Sequence, residues 1–238
     1  MLSPYGLDIV ENCLACKLRE DKIFCNLPNK AVQALQAIKF TSVYPKGALL
    51  FVEGQPPRGV FILCKGRVKL SIGSSDGRTL ILKIAEPGEV LGLSATVSGK
   101  PYELSAETMG SSQVNFVKRD DFLRFLREHS EVCLRVAEQL SDKYNSVCRE
   151  IRSVGLSHSA AEKLARLLLD WSVEKKDQQQ PGRIKLTLTQ EEIAQLIGTS
   201  RETVTRLFSE FKRKQVIQLK GSTLVIRNKG ALEALVNP

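Results

Sequence analysis

Residues 186–214, LTLTQEEIAQLIGTSRETVTRLFSEFKRK, constrain this chain more than any other stretch. Their apolar spacing predicts two short helices joined by a tight turn. Thr189 is placed to cap the first helix, and Glu192, three residues on, closes a capping box. Ile193, Leu196 and Ile197 form the apolar face of that helix. Gly198-Thr199 makes the turn, because glycine adopts a left-handed backbone at little cost. Ser200 is placed to cap the second helix. There Val204, Leu207, Phe208 and Phe211 recur at i, i+3, i+4 and i+7, the spacing of a buried stripe. Arg201, Glu202, Thr205 and Arg206 fall on the other side, at the end a recognition helix pushes into the major groove, and with Thr189 and Ser200 they make up the expected DNA-binding set.

These residue types suit base reading. Arginine donates two hydrogen bonds to guanine O6 and N7, and glutamate accepts from cytosine N4. The plainer reading is a solvated face with an ordinary i, i+4 pair between Glu202 and Arg206. The capped first helix, the glycine turn and the two-faced second helix together favour DNA. Beyond them, residues 216–219 and 223–226 flank Lys220-Gly221-Ser222 and predict a hairpin, the wing of a winged helix-turn-helix.

The string TSRETVTRLFSEFKRKQVI resembles the recognition helix of the CRP/FNR family of bacterial transcription regulators, in which SRETVxR is distinctive. The similarity extends over nearly the whole chain. It implies an α+β fold: an N-terminal cyclic-nucleotide-binding-type β-roll, a long dimerisation helix and a C-terminal winged helix-turn-helix. The division it implies is a sensor domain over 1–129, the dimerisation helix over 130–155 and the DNA-binding domain over 156–238. It also implies double-stranded DNA and a second copy of the chain as partners, with RNA polymerase by family analogy. Arg201, Glu202 and Arg206 match the residues by which CRP-type members read a TGTGA-like half-site, so a palindrome containing GTGA is expected.

At 238 residues the chain has room for two modest domains, each with its own core. No apolar run is long enough to span a bilayer, and the N-terminal residues lack a basic-then-apolar leader, so the cytoplasm is the expected compartment. Lys and Arg total 35 against 26 Asp and Glu, a net charge of +9. Such an excess favours a polyanion, because neutralising phosphates releases counterions. Its distribution says more than its total: Arg201, Arg206, Lys212, Arg213, Lys214, Lys220, Arg227 and Lys229 lie in or beside the DNA reader.

Residues 40–117 alternate short β-rich runs with glycine turns: ALLFVEG, GVFILCKG, RVKLSIG, TLILKIAEPG and SQVNFV. Strands so short and closely spaced predict a sandwich or barrel. SIGSSDGRTLILKI reads as a hairpin turning at Ser75-Asp76-Gly77. A short helix follows over 120–128, with Phe122, Phe125 and Leu126 apolar. Ser130 is placed to cap a long helix reaching about residue 154. In it Cys133, Leu140, Val147 and Val154 recur every seven residues, with Val136, Tyr144 and Ile151 offset, the pattern of a coiled-coil seam. Gly155-Leu156-Ser157 reads as a hinge, and residues 175–183, KKDQQQPGR, as an exposed loop.

Cyclic-AMP-binding members of the family hold their ligand with a glycine–glutamate pair and an arginine followed by a small hydroxyl residue. Here the first position reads Gly92-Leu93-Ser94 and the second Lys100-Pro101-Tyr102-Glu103-Leu104-Ser105. Leu93 stands for the glutamate, no arginine is present, and Glu103 would repel an anion. Cyclic AMP is therefore not the expected effector.

Six cysteines in a cytosolic chain point to thiols or metal ligands rather than disulfides. His129 and His158 are too scattered for a metal site or a triad. The N-terminal set Cys13-x2-Cys16-x8-Cys25 resembles the cysteine segment of the oxygen-sensing FNR branch, which implies a [4Fe-4S] cluster. In that branch one internal cysteine completes the set. Its position here is Asn115, so Cys64, Cys133, Cys148 or a non-cysteine ligand would have to substitute, and the fourth ligand stays unnamed. A reversible dithiol switch and a zinc site are the alternatives.

Two other functions compete with a transcription regulator. A regulatory module of an enzyme or channel would need a catalytic domain or membrane spans, and an enzyme would need a nucleophile–base constellation. The sequence presents none of these, so no catalytic residue is expected.

Overall fold

The computed structural model describes residues 5–21, 24–156, 159–174 and 183–236. The chain divides into two compact units, Met1–Ser146 and Val147–Pro238.

The first unit contains, in chain order, α1 (Leu18–Asp21), α2 (Asn29–Ile38), β1 (Lys39–Tyr44), β2 (Leu49–Phe51), β3 (Gly59–Lys65), β4 (Val68–Gly73), β5 (Thr79–Ala85), β6 (Val90–Leu91), α3 (Leu93–Ser98), β7 (Ser105–Thr108), β8 (Ser112–Lys118) and α4 (Arg119–Glu128). The long helix α5 (Ser130–Leu156) begins in this unit and runs into the second. Two four-stranded sheets form, β1-β8-β3-β6 and β2-β7-β4-β5, with every pairing antiparallel.

Alternation along β3 explains why this unit has two cores. Phe61 and Leu63 face the other sheet and join Phe51, Leu70, Tyr102 and Val114. Val60 and Ile62 face outward and join Val32 and Leu35 of α2, Phe122 and Phe125 of α4, and Val132 and Val136 of α5. Tyr102 locks the space between the sheets. Its hydroxyl donates to the Gly59 carbonyl at 2.8 Å and accepts from the Arg58 and Gly59 amides. Gly92 is required beside it: its φ is +70°, and a Cβ there would lie 2.7 Å from the Tyr102 ring.

The expected hairpin is present as β4–β5, with Gly73 opposite Thr79. The expected short helix is α4, with Phe122, Phe125 and Leu126 buried. Strands β1, β6 and β7 and helices α1 and α3 had no expectation. The coiled-coil seam needs correction. Val136 is only 6% exposed, in the core of its own unit, and Leu140 packs against the same core. Of the expected seam, Cys133, Tyr144 (71% exposed) and Val147 stay in solvent, joined by Leu134 (63%) from outside it. The helix turns its 132–136–140 line inward because Val132 and Val136 fill the outer face of the β3–β8 sheet, so Val136 and Leu140 are the seam positions drawn into the chain's own core. The side chains of Ile151 and Val154 lie outside the described ones, as do His158 and residues 175–182.

The second unit contains α6 (Ala160–Glu174), β9 (Arg183–Lys185), α7 (Gln190–Ile197), α8 (Arg201–Arg213), β10 (Ile217–Lys220), β11 (Thr223–Ile226) and α9 (Lys229–Val236). Its sheet has the order β10-β11-β9. Leu164, Leu168, Ile184, Ile193, Phe208 and Leu232 meet in one core. The wing hairpin forms as expected. Strand β9, which pairs with β11, and α9, which packs on α6, had not been anticipated.

Candidate nucleic-acid interface and cysteine cavity

The helix pair is fixed by its caps. Thr189 Oγ1 accepts from the Glu192 amide at 3.2 Å, and the Glu192 carboxylate accepts from the Thr189 amide at 2.7 Å. The capping box is complete. Gly198 sits at φ +64° and ends α7, and the Thr199 amide donates back to Ala194. Ser200 Oγ accepts from the Thr203 amide and starts α8. Val204, Leu207, Phe208 and Phe211 are buried, which leaves the opposite face of α8 no choice but solvent.

That face carries Arg201, Glu202, Thr205 and Arg206, all exposed. Among the described residues no ion pair joins Glu202 to Arg206. Glu202's carboxyl is held below its usual range by a backbone N–H, then by the Ser200 hydroxyl, with Arg201 adding a smaller pull. It is ionised at neutral pH and ready to accept. Thr205 bridges to the neighbouring helix, its hydroxyl donating to the Gln190 side chain and to the Arg201 carbonyl. Thr189 and Ser200 spend their hydroxyls on caps, so they act by fixing the helix starts. Lys212, Arg213 and Lys214 at the far end of α8, and Lys220 at the wing tip, are exposed.

In the first unit, Cys13, Cys16 and Cys25 line one cavity, and Cys64 of β3 lines it with them. Asn115 of β8 and hydrocarbon from Phe24, Leu27, Val32, Leu35 and Ile62 complete most of the wall. All six cysteines are thiols. Burial pushes the Cys13 thiol up, against Lys39 and with Cys16. Burial and then Cys13 and Cys25 push Cys64 up to about 12. A reversible dithiol switch, one of the alternatives, would need a lowered value, the opposite of the direction at Cys13. Among the described residues no three His, Cys, Asp or Glu side chains converge closely enough to hold one metal ion.

The cysteine segment is strapped down by side chains from the sheet. Gln113 is fully buried; it accepts from the Val10 amide at 2.8 Å and donates to the Val10 carbonyl at 2.7 Å, like one rung of a strand ladder. Lys65 donates to the Asp8 carbonyl and Lys39 to the Glu11 carbonyl. Arg19 donates to the carbonyls of Leu14 and Leu27. Cys133 lies elsewhere, exposed on α5, its thiol donating to Leu126.

At the position of the cyclic-nucleotide pocket, Leu93 is fully buried in the helical core. Ser94 donates to the Glu103 carboxylate at 2.7 Å. Lys143 of α5 donates to the Val90 carbonyl at 3.0 Å, and burial pulls its ammonium down to about 8, against Glu89 and Glu103 and with Lys83.

A two-sheet roll followed by a winged helix-turn-helix with an exposed, polar recognition face defines a class of DNA-binding regulators. Residues 41–129 match the family model for the cyclic nucleotide-binding domain, and residues 162–235 that for the Crp-like helix-turn-helix domain. The CRP-like cAMP-activated global transcriptional regulator of Mycobacterium tuberculosis is 28% identical over 209 residues, covering 86% of this chain and 91% of that protein. The transcriptional activatory protein AadR of Rhodopseudomonas palustris is 29% identical over 174 residues, 73% of this chain and 71% of that protein. The fold matches FixK2 from Bradyrhizobium japonicum with a TM-score of 0.70 at 24% identity, over 83% of this chain and 97% of that one. The chain belongs to the CRP/FNR family and is a DNA-binding transcription regulator. Among the described residues no helix is long and apolar enough to cross a membrane.

Proposed function

We propose that the chain is a homodimeric, cytoplasmic, non-enzymatic regulator that reads a GTGA-containing palindrome and whose DNA affinity is set by a cofactor on Cys13, Cys16 and Cys25. The observation that carries the DNA reading is the exposed set Arg201, Glu202 and Arg206 at the capped start of α8, with no ion pair consuming Glu202 among the described residues. In this reading residues 1–129 sense, 130–155 dimerise and 156–238 bind DNA, with half-sites roughly 34 Å apart or a small multiple. RNA polymerase is the further partner by analogy. Selection from random DNA tests it: enrichment of a GTGA core is expected, and its absence overturns the roles of these residues.

The dimer reading is supported by the apolar stripe that α5 leaves in solvent, Leu134 and Tyr144. Glutamate at both positions should give monomer in analytical ultracentrifugation and abolish specific DNA binding. An intact dimer would remove this stripe from the interface.

Although the mycobacterial relative is described as cAMP-activated, we propose a different effector here. Leu93 is packed in the core, Glu103 already holds Ser94, and no arginine stands between residues 100 and 105. Calorimetry should show no cyclic AMP binding at micromolar ligand.

The cysteine cavity suits an iron–sulfur cluster: soft sulfur donors, anionic once they ligate metal, face a space walled mainly by hydrocarbon, which limits solvent access. Bound there, a cluster supplies an oxygen-labile group whose loss changes what the N-terminal segment must pack around. The chain's own part is to hold that segment, through Gln113, Lys65 and Lys39, against the same sheet whose outer face carries α5.

A further inference from the structure

Resting on that reading of Cys13, Cys16 and Cys25 as cofactor ligands, we infer that Cys64 on β3 is the fourth thiolate, so that four cysteines close one cluster site within a single chain.

Strand alternation aims Cys64. Val60 and Ile62 face the helical core, and Cys64 is next in that series, on the side where the cysteine segment lies. The position occupied by the internal ligand in the FNR branch is Asn115, on the neighbouring strand. Ile62 is the direct ladder partner of Asn115, so Cys64 stands one step diagonal to it. A thiol moved between these positions stays in the same cavity wall.

Asn115 has an evident second task. Its Nδ2 donates to Cys64 Sγ at 3.1 Å, while its Oδ1 accepts from Thr41 Oγ1 at 2.8 Å. The threonine bond fixes which end of the amide meets the sulfur. An N–H donor on a ligating sulfur stabilises the thiolate and raises the potential of the cluster it holds.

The spread of the four thiols separates the candidate occupants. A single Zn²⁺ with Zn–S bonds of about 2.3 Å needs its sulfurs within about 4 Å of each other. No such convergence exists among the described residues, yet the four side chains share one cavity. A cubane, with one iron at each ligated corner, suits sulfurs set further apart. Cys133 does not line this cavity and bonds to Leu126 instead.

The test is ligand exchange from a synthetic [4Fe-4S] thiolate complex into the full-length protein under strict anaerobiosis. Each cysteine displaces one small thiolate, which leaves with the cysteine proton, and no electron moves. Wild-type protein should take up four irons and four sulfides per chain and turn brown. Cys64→Ala should lose the cluster or hold a three-iron form, whereas Cys133→Ala should match wild type. Asn115→Leu should keep the cluster at a lower reduction potential. Cys64→Ser and a circular-dichroism melt of each variant separate ligand loss from misfolding. If Cys64→Ala and Cys64→Ser carry the full complement while Cys13, Cys16 and Cys25 variants lose it, the cofactor reading stands and Cys64 is not its ligand. If wild type takes up no iron, both fall together.

Discussion

Thr189 to Arg206, the proposed DNA reader, is one unbroken run in which each helix is started by its own side chain. The cysteine cavity draws on Cys13, Cys16, Cys25 and Cys64, with α1, α2, β1 and β2 between the first and the last. In the first site the helix starts are fixed by contacts three residues long, and a Thr205–Gln190 bond joins the two helices. The second exists only once a sheet has formed and a separate segment has been tied across it by Gln113 and Lys65. A site of the first kind is set by its own sequence. A site of the second kind depends on elements that carry no functional group themselves.

If the two regions are independent in this way, damage to one core should leave the other intact. Phe208→Ala opens a cavity in the core behind α8 and should cost about 3–5 kcal/mol. Calorimetry should then show an early transition for the second unit, with cluster uptake by the first unchanged. A single merged transition would show that the units unfold together.

A smaller change tests reading without folding. Arg206→Ala is exposed and should weaken specific DNA binding by about 1–3 kcal/mol and relax the preference at one base pair. Its melting temperature should match wild type. Uniform weakening across all sequences in a binding titration would instead mark Arg206 as a phosphate contact.

Thr189→Ala removes the capping box and should cost about 1 kcal/mol of stability, measured by urea titration. The matching cut in the other region is Gln113→Ala. It releases Val10 and should expose the cysteine segment to protease while leaving DNA affinity of the apoprotein unchanged.

Lys143→Met should have the smallest net effect, because relief of a buried charge is offset by the lost bond to the Val90 carbonyl. Its signature is pH dependence. The folded-state value of about 8 lies below the unfolded 10.5, so the unfolded chain binds more protons between them. Stability of the wild type should therefore rise with pH from about 8 to 10.5, and the variant should lose that rise.

Most of the second unit was legible in the sequence because its instructions are local. A capping box, a left-handed glycine and a four-residue apolar stripe each predict what they build. Strand β9 was missed because Ile184 is one apolar residue after a polar loop, too little for alternation to register. In the first unit, glycine spacing announced the roll but not its pairings, since β1 gains its identity from β8, far along the chain. The heptad on α5 needed correction at Val136 and Leu140 for a related reason. Periodicity finds an apolar line without saying whether a sheet or another helix will cover it, and Val136 went to the sheet. Cys64 was visible as a residue and was read as one of several stand-ins. Only strand alternation and the Asn115 bond bring it to the other three.

One irregularity in β3 has a further effect. Leu63 pairs with Val114 but Lys65 pairs with Gln113, so the strand holds one residue more than its partner there. In an unbroken pleat Lys65 would follow Leu63 into the space between the sheets, where a charge has no place. The added residue shifts the phase, so Lys65 emerges beside Cys64 and reaches Asp8. Deleting the extra residue, Cys64, would make the ladder regular and keep Lys65 outward opposite Gln113, but it would take a thiol out of the cavity wall. In this protein a perfect strand would be the defective one.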